Sequence, residues 1–417
     1  MPSIIFNAAA RLKRKALNYI YNFDKDFNER IVERIARRFA EALDHHDNEK
    51  RLYARALAHY EAQLNLRPTI SKWGFEISSI FAVPLFVIFA WFRGLLKPNA
   101  KARDIDGARL VFENRFEINP EIYGIPDELS EQTIETRELN VGHLCTRDLP
   151  ALWRMFITAV RNGTRFPFQF VLKCAVDLSR VRGALHGLST TWVIVYWEFS
   201  CALSFITAVL SKERVDIFNV MHGEKNYFAK NAFFEVTRCY CWSTYYVELF
   251  ERLSARADFR IFDKPPIHLE TVSVAPTTIG ILTPSSAQLA DSAFTSDFAG
   301  ACNSIVRDYP VTVRIHPMYR EDFIQLRSHL DSKIKVSDSA AESPLQFINE
   351  HPVLAGAPST LLLDAIHAGR QVVVLDVNDG ESLKDRDPAY GANNVIRTRA
   401  KNFAGGIKTA IERLKVS

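Results

Sequence analysis

Residues 353–376 read VLAGAPSTLLLDAIHAGRQVVVLD, and this stretch decides the fold. Val353 to Ala355 is a short apolar run that ends at a Gly-Ala-Pro break, the pattern of a buried strand. Pro358 and Ser359 suit a helix start, the apolar side chains that follow extend a helix over 359–368, and Gly369 ends it. Gln371 to Leu375 is a second buried strand. Strand, helix and strand in so short a span make a parallel βαβ unit, covered on both faces.

The same alternation continues upstream. Strands are predicted at Thr278 to Leu282, Val311 to Ile315 and Ile334 to Val336, with helices over about 291–307, 320–330 and 343–349. Five short strands with helices between them imply an α/β, Rossmann-like domain over 266–417, beginning after Asp263-Lys-Pro-Pro. Ligands of such sheets bind outside the carboxyl ends of the strands. Between 106 and 265 a second, less regular alternation is read as another Rossmann-like domain. Its first strand is Ala108 to Phe112, its helices Leu149 to Val160, Phe166 to Leu178 and Thr190 to Leu210, and its next strand Val215 to Met221. Residues 1–105 form a helical region, because Ala16, Ile20, Phe23, Phe27, Ile31, Ile35 and Phe39 recur at helical spacing.

Composition narrows the function classes. The 417 residues are 47% hydrophobic and 24% charged, with 52 basic against 48 acidic side chains, so no bulk electrostatic case for nucleic acid exists and none is expected as a partner. The six cysteines (Cys145, Cys174, Cys201, Cys239, Cys241, Cys302) are dispersed, and Cys239 and Cys241 are too close for a CxxC knuckle, so reduced thiols in a cytosolic protein are expected. Arg11, Lys13, Arg14 and Lys15 follow Ile4, Ile5 and Phe6 without the apolar core of a secretory signal. Ile77 to Phe92 carries no charge over 16 residues, short of the roughly 20 that span a bilayer. Pro84 interrupts it, Trp73 and Trp91 flank it, and Arg93, Lys97, Lys101 and Arg103 follow, which favours attachment at an anionic membrane surface over a span or a core helix. The expected location is cytoplasmic, peripheral to the inner membrane.

Three constellations fall at predicted strand ends. His222-Gly223-Glu224 closes the strand from Val215; glycine allows a sharp turn, and the imidazole or carboxylate is placed to take a proton from a hydroxyl. Arg314-Ile315-His316-Pro317 ends another strand, and His316 there is placed to donate to a phosphate oxygen. Ser359-Thr360 opens the helix of 359–368, where backbone amides and dipole make an anion site. The plain alternatives are turn histidines for the first two and a simple N-cap serine for the third. Thr283-Pro284-Ser285-Ser286 is a further hydroxyl-rich loop at the same sheet edge, equally readable as a turn. His351-Pro352 precedes a strand and is the weaker histidine.

In this order, HG, then HP, then the Ser/Thr pair before LLLDAIHAG and VVVLD, the chain resembles the bacterial surface-polysaccharide transferases of GT-B type, a group with capsule polymerases, polysialyltransferases and teichoic-acid glycerophosphotransferases. The resemblance covers about Asp216 to Asp376. It implies two Rossmann-like domains facing a cleft, the first for the acceptor and the second for a nucleotide-sugar donor. By position it implies His316, Ser359 and Thr360 at the donor phosphate, Asp364 at the donor ribose or sugar, and His222 as base. Arg314, Ser285 and Ser286, at the same sheet edge, are expected among the nucleotide contacts. The base stays open among His222, Glu224 and Glu198. The implied reaction is inverting and needs neither metal nor other cofactor, with a glycan or lipid-linked glycan as acceptor. The group's use of CMP-sugars and CDP-polyols favours a cytidine nucleotide. A nucleotide-sugar epimerase or hydrolase of the same fold, and an inactive membrane-associated scaffold, are the alternatives. Asp376-Val-Asn-Asp379 suits a metal-binding DxD less well than a polar loop, because only about 40 residues follow it. The absence of GxGxxG, P-loop and HExxH motifs argues against dehydrogenase, P-loop kinase and zincin.

Overall fold

The computed structural model describes residues 25–66, 69–97, 102–111, 125–221, 223–262, 277–284, 286–289, 291–315, 320–338, 342–376 and 387–416. Among these the chain forms two units, one of 25–221 and 227–262, the other of 223–226 and 277–416. The basic segment from Ile4 to Lys15 lies outside the described residues.

The first unit opens with helices α1 (Lys25–Leu43), α2 (Asn48–Asn65) and α3 (Thr69–Leu95). Ile31, Val32, Ile35, Phe39 and Leu43 form the buried stripe of α1, as their spacing dictates. Asp47 caps α2, its carboxylate accepting the N–H groups of Glu49 (2.9 Å) and Lys50 (3.2 Å). From Leu52 to Leu64 α2 is buried on nearly every side, so it is a core helix of this unit.

Then follow β1 (Arg103–Asp104), β2 (Gly107–Val111), β3 (Ile134–Glu138), α4 (Leu149–Arg161), α5 (Pro167–Ala184), β4 (Leu188–Ser189), β5 (Trp192–Val195), α6 (Leu203–Ser211), β6 (Asp216–Val220), β7 (Glu235–Cys241), α7 (Thr244–Arg252) and β8 (Arg256–Ile261). A six-stranded sheet of order β3-β2-β5-β6-β7-β8 is parallel throughout; β1 and β4 form a separate parallel pair. The helix expected over Thr190 to Leu210 is instead a strand, β5, followed after a turn by α6. Trp192-Val-Ile-Val195 is buried on both faces, and such a continuous apolar run carries no period that tells strand from helix.

The second unit contains β9 (Ile279–Leu282), α8 (Ser292–Ile305), β10 (Val311–Ile315), α9 (Arg320–Arg327), β11 (Lys335–Asp338), α10 (Pro344–Glu350), β12 (Val353–Gly356), α11 (Thr360–His367), β13 (Gln371–Leu375), β14 (Val395–Thr398) and α12 (Phe403–Val416). The five predicted strands are present, and β14 adds a sixth. The sheet order is β11-β10-β9-β12-β13-β14, all parallel. One face packs a core around Ile281, Phe298, Val313 and Phe403, the other a core around Phe347, Leu354, Leu362 and Val374. Counted within the unit this is the doubly wound order third-second-first-fourth-fifth-sixth, whose direction of winding reverses between β9 and β12. Two doubly wound parallel sheets in one chain, after an N-terminal helical region, are a GT-B-like α/β architecture.

Candidate functional site

In a doubly wound sheet the crevice for a ligand opens beyond the carboxyl ends of the strands that flank the reversal. Here those ends are Leu282, leading to Thr283 and Pro284, and Gly356, leading to Pro358, Ser359 and Thr360. The two hydroxyl-rich loops singled out by sequence therefore leave neighbouring strands at the reversal. Gly356 makes the approach between them: its φ is +157°, and a Cβ there would lie 2.9 Å from the Leu282 Cβ.

Ser359 is the N-cap of α11. Its extended backbone (φ −161°, ψ 161°) lets the hydroxyl accept the Leu362 N–H at 3.3 Å. An α-helix leaves its first N–H groups without intrahelical acceptors, so the amides of Thr360 and Leu361 are turned toward the helix start. Residues 357–361 are half-buried and solvent-reachable. The arrangement has the geometry of an anion site.

Glu224 joins this group from far away in sequence. Its N–H donates to Thr360 Oγ1 at 3.1 Å, and its carboxylate accepts from the Tyr390 hydroxyl at 3.0 Å. Gly223 permits the contact with a φ of +70°, since a Cβ there would stand 2.9 Å from Thr360 Oγ1. The Tyr390 hydroxyl also accepts the Ser359 N–H at 3.1 Å, and its single proton goes either to Glu224 or to the Ser359 carbonyl, also 3.1 Å away. The tyrosine is 1% exposed, locked in the core beneath α11. Sequence reading missed it. Asp387-Pro388 marks a turn start, with the Asp387 carboxylate accepting the Ala389 N–H at 2.8 Å, but nothing local links residue 390 to 224 or 359.

The other predicted residues fall as follows. Asp364 is one helical turn beyond Thr360 on α11 and is 2% exposed. Arg314 is buried with its guanidinium on the Glu342 carboxylate (3.0 Å) and carbonyl (2.7 Å) and 5.1 Å from the Phe347 ring centre. Burial lowers its pKa, against the pull of Glu342. These contacts hold it to the segment before α10. His351 is likewise a packing residue, its Nδ1 at 2.8 Å from the Phe347 carbonyl and its pKa lowered by burial. Glu198, in the first unit, follows β5 and is fully buried; Asn219 Nδ2 donates to it at 3.2 Å, while the Asn219 oxygen accepts the Trp197 N–H at 2.8 Å. His222, His316, Ser285 and the side chain of Ser286 lie outside the described residues. Asp376 donates its backbone N–H to Thr398 across β13 and β14, Asp379 lies outside the described residues, and among those described no three His, Cys, Asp or Glu side chains form a metal-binding group.

No family model and no curated protein sequence matches the chain. Several solved structures are similar at low identity. Anabaena Alr3699/HepE, solved in complex with UDP and glucose, aligns at 12% identity over 75% of this chain and 91% of its own, with a TM-score of 0.46. The UDP-GlcNAc 2-epimerase from Methanocaldococcus jannaschii aligns at 11% over 73% and 92%, with a TM-score of 0.45. The wall teichoic acid polymerase TagF, soaked with CDPG, aligns at 10% over 84% and 92%, with a TM-score of 0.39.

Proposed function

We propose that this protein is a glycosyltransferase that moves a sugar from a nucleotide-activated donor to a glycan or lipid-linked glycan, with inversion and without a metal, in building a bacterial surface glycan. The observation that carries the reading is the start of α11 at the reversal of the second sheet, where Ser359, Thr360 and the helix amides can receive a phosphate. A cytidine nucleotide is the favoured donor, on the strength of the sequence resemblance.

In the proposed reaction a base removes the acceptor hydroxyl proton as that oxygen bonds to the anomeric carbon. The bond from that carbon to the donor phosphate breaks, and the phosphate leaves with the electron pair. Ser359, Thr360 and the α11 amides stabilise its charge, with His316 donating to a phosphate oxygen. Glu224, His222 and Glu198 are the candidate bases. Glu224 is the one tied to the phosphate-binding group by described hydrogen bonds.

A thermal-shift panel of CMP, CDP, UDP and GDP tests the nucleotide site, with the cytidine nucleotides expected to raise the melting temperature most. His316→Ala is expected to abolish transfer while leaving the fold intact. Conversion of a donor with no acceptor present would replace transfer with epimerase or hydrolase chemistry, and no response to any nucleotide would leave a scaffold.

A further inference from the structure

Helix α3 has two unlike sides. From Lys72 to Leu95 it is long and apolar enough to cross a membrane, yet most of that length is exposed. Phe81, Leu85, Ile88, Phe89, Phe92 and Leu96 are each 56–70% exposed, an apolar surface with no protein against it among the described residues. Glu76, Ser79 and Ala90 make the opposite, buried stripe.

That buried stripe is stitched to the first unit along its length. The Glu76 carboxylate caps α5, accepting the N–H groups of Phe168 (3.1 Å) and Gln169 (2.8 Å). Fourteen and fifteen residues later, about 21–22 Å along the axis, the Ala90 carbonyl accepts the Leu144 N–H (3.0 Å) and Trp91 Nε1 donates to Thr146 Oγ1 (3.1 Å). A helix crossing a bilayer in this arrangement would carry α5 in with it, and α5 bears Lys173, Asp177, Arg180 and Arg182.

We infer that α3 is an in-plane membrane anchor, its exposed face sunk into one anionic leaflet while its buried stripe stays on the protein. Charge complementarity selects the lipid surface. No acidic residue occurs from Ile77 to Lys97, and Arg93 and Lys97 lie at the end where Trp91 is held. The apolar surface continues onto α4, where Trp153, itself 63% exposed, stacks on Phe156, which packs on Phe168 next to the Glu76 cap. The inference stands independently of the reaction proposed above.

The test uses the full chain with phosphatidylcholine vesicles, with and without phosphatidylglycerol. Wild type is expected to sediment with vesicles, more strongly when phosphatidylglycerol is present. The triple variant Phe81→Glu, Leu85→Glu, Phe89→Glu is expected to lose binding about tenfold or more with its melting temperature unchanged, since all three side chains already face solvent. Arg93→Glu with Lys97→Glu is expected to remove the preference for phosphatidylglycerol. Wild-type-like sedimentation of the triple variant, or a triple variant that only dissociates a dimer of this chain, overturns the assignment. Tags at the two chain ends are expected on the same side of the membrane, and tags on opposite sides overturn the in-plane geometry.

Discussion

Tyr390 shows how much one hydroxyl holds at the candidate site. It takes the Ser359 N–H and gives its proton to Glu224 or to the Ser359 carbonyl, while its ring fills the core under α11. Tyr390→Phe keeps the ring and removes the hydrogen bonds, so a stability loss of about 1 kcal/mol is expected. Thr360→Val removes the acceptor of the Glu224 N–H and a donor to phosphate. It should lower the stability of the free protein by about 1 kcal/mol at most and reduce the rise in melting temperature given by a cytidine nucleotide. Equal nucleotide responses in wild type and Thr360→Val would take Thr360 out of the phosphate site. The helix start at Ser359 was legible because N-cap chemistry is written within four residues. Tyr390 was not, because its partners are 31 and 166 residues away.

At the scale of elements, the strands of the second sheet were legible because each is a short apolar run bounded by turn residues. β14 was missed for the opposite reason: Val395-Ile-Arg-Thr398 is an edge strand, half-exposed and short. In the first unit β7 and β8 carry Arg and Glu or Asp within them, and β5 hid inside an apolar run. The core helix α2 brings a pH dependence. His59 is fully buried with Nε2 at 2.6 Å from the Lys230 carbonyl, and desolvation brings its pKa down to about 4. The unfolded chain, with an ordinary histidine near 6.5, binds this proton first as pH falls. The stabilising effect of keeping the ring neutral is therefore complete above about pH 6.5 and fades toward pH 4. Urea unfolding at pH 5 should show a stability about 2 kcal/mol below that at pH 7.5 from this group, and His59→Gln should reduce the difference.

For the whole molecule, the second unit holds both of its cores within its own sequence. The residues of one core run from Ile279 to Ile411 and those of the other from Phe347 to Tyr390. A fragment of residues 265–417 is therefore expected to fold alone, unfolding in one cooperative heat transition. It should bind nucleotide more weakly than the full chain, because Gly223 to Asn226 are missing from it. A fragment with no cooperative transition would mean that those four residues, or others before 265, complete its fold. The architecture of this unit was legible because local pattern fixes strands and helices. Its reversal point was not, because strand order is settled by packing between segments distant in sequence.

The membership of Glu224 in the second unit has a consequence in time. Tyr390 leaves the ribosome 166 residues after Glu224. At about 5–20 residues per second that interval is roughly 10–30 s. Throughout it Glu224 exists without the Tyr390 hydroxyl, and for the first 136 residues without that of Thr360 as well, so a nascent chain can assemble the group around Ser359 and Thr360 only after most of the second unit has been made.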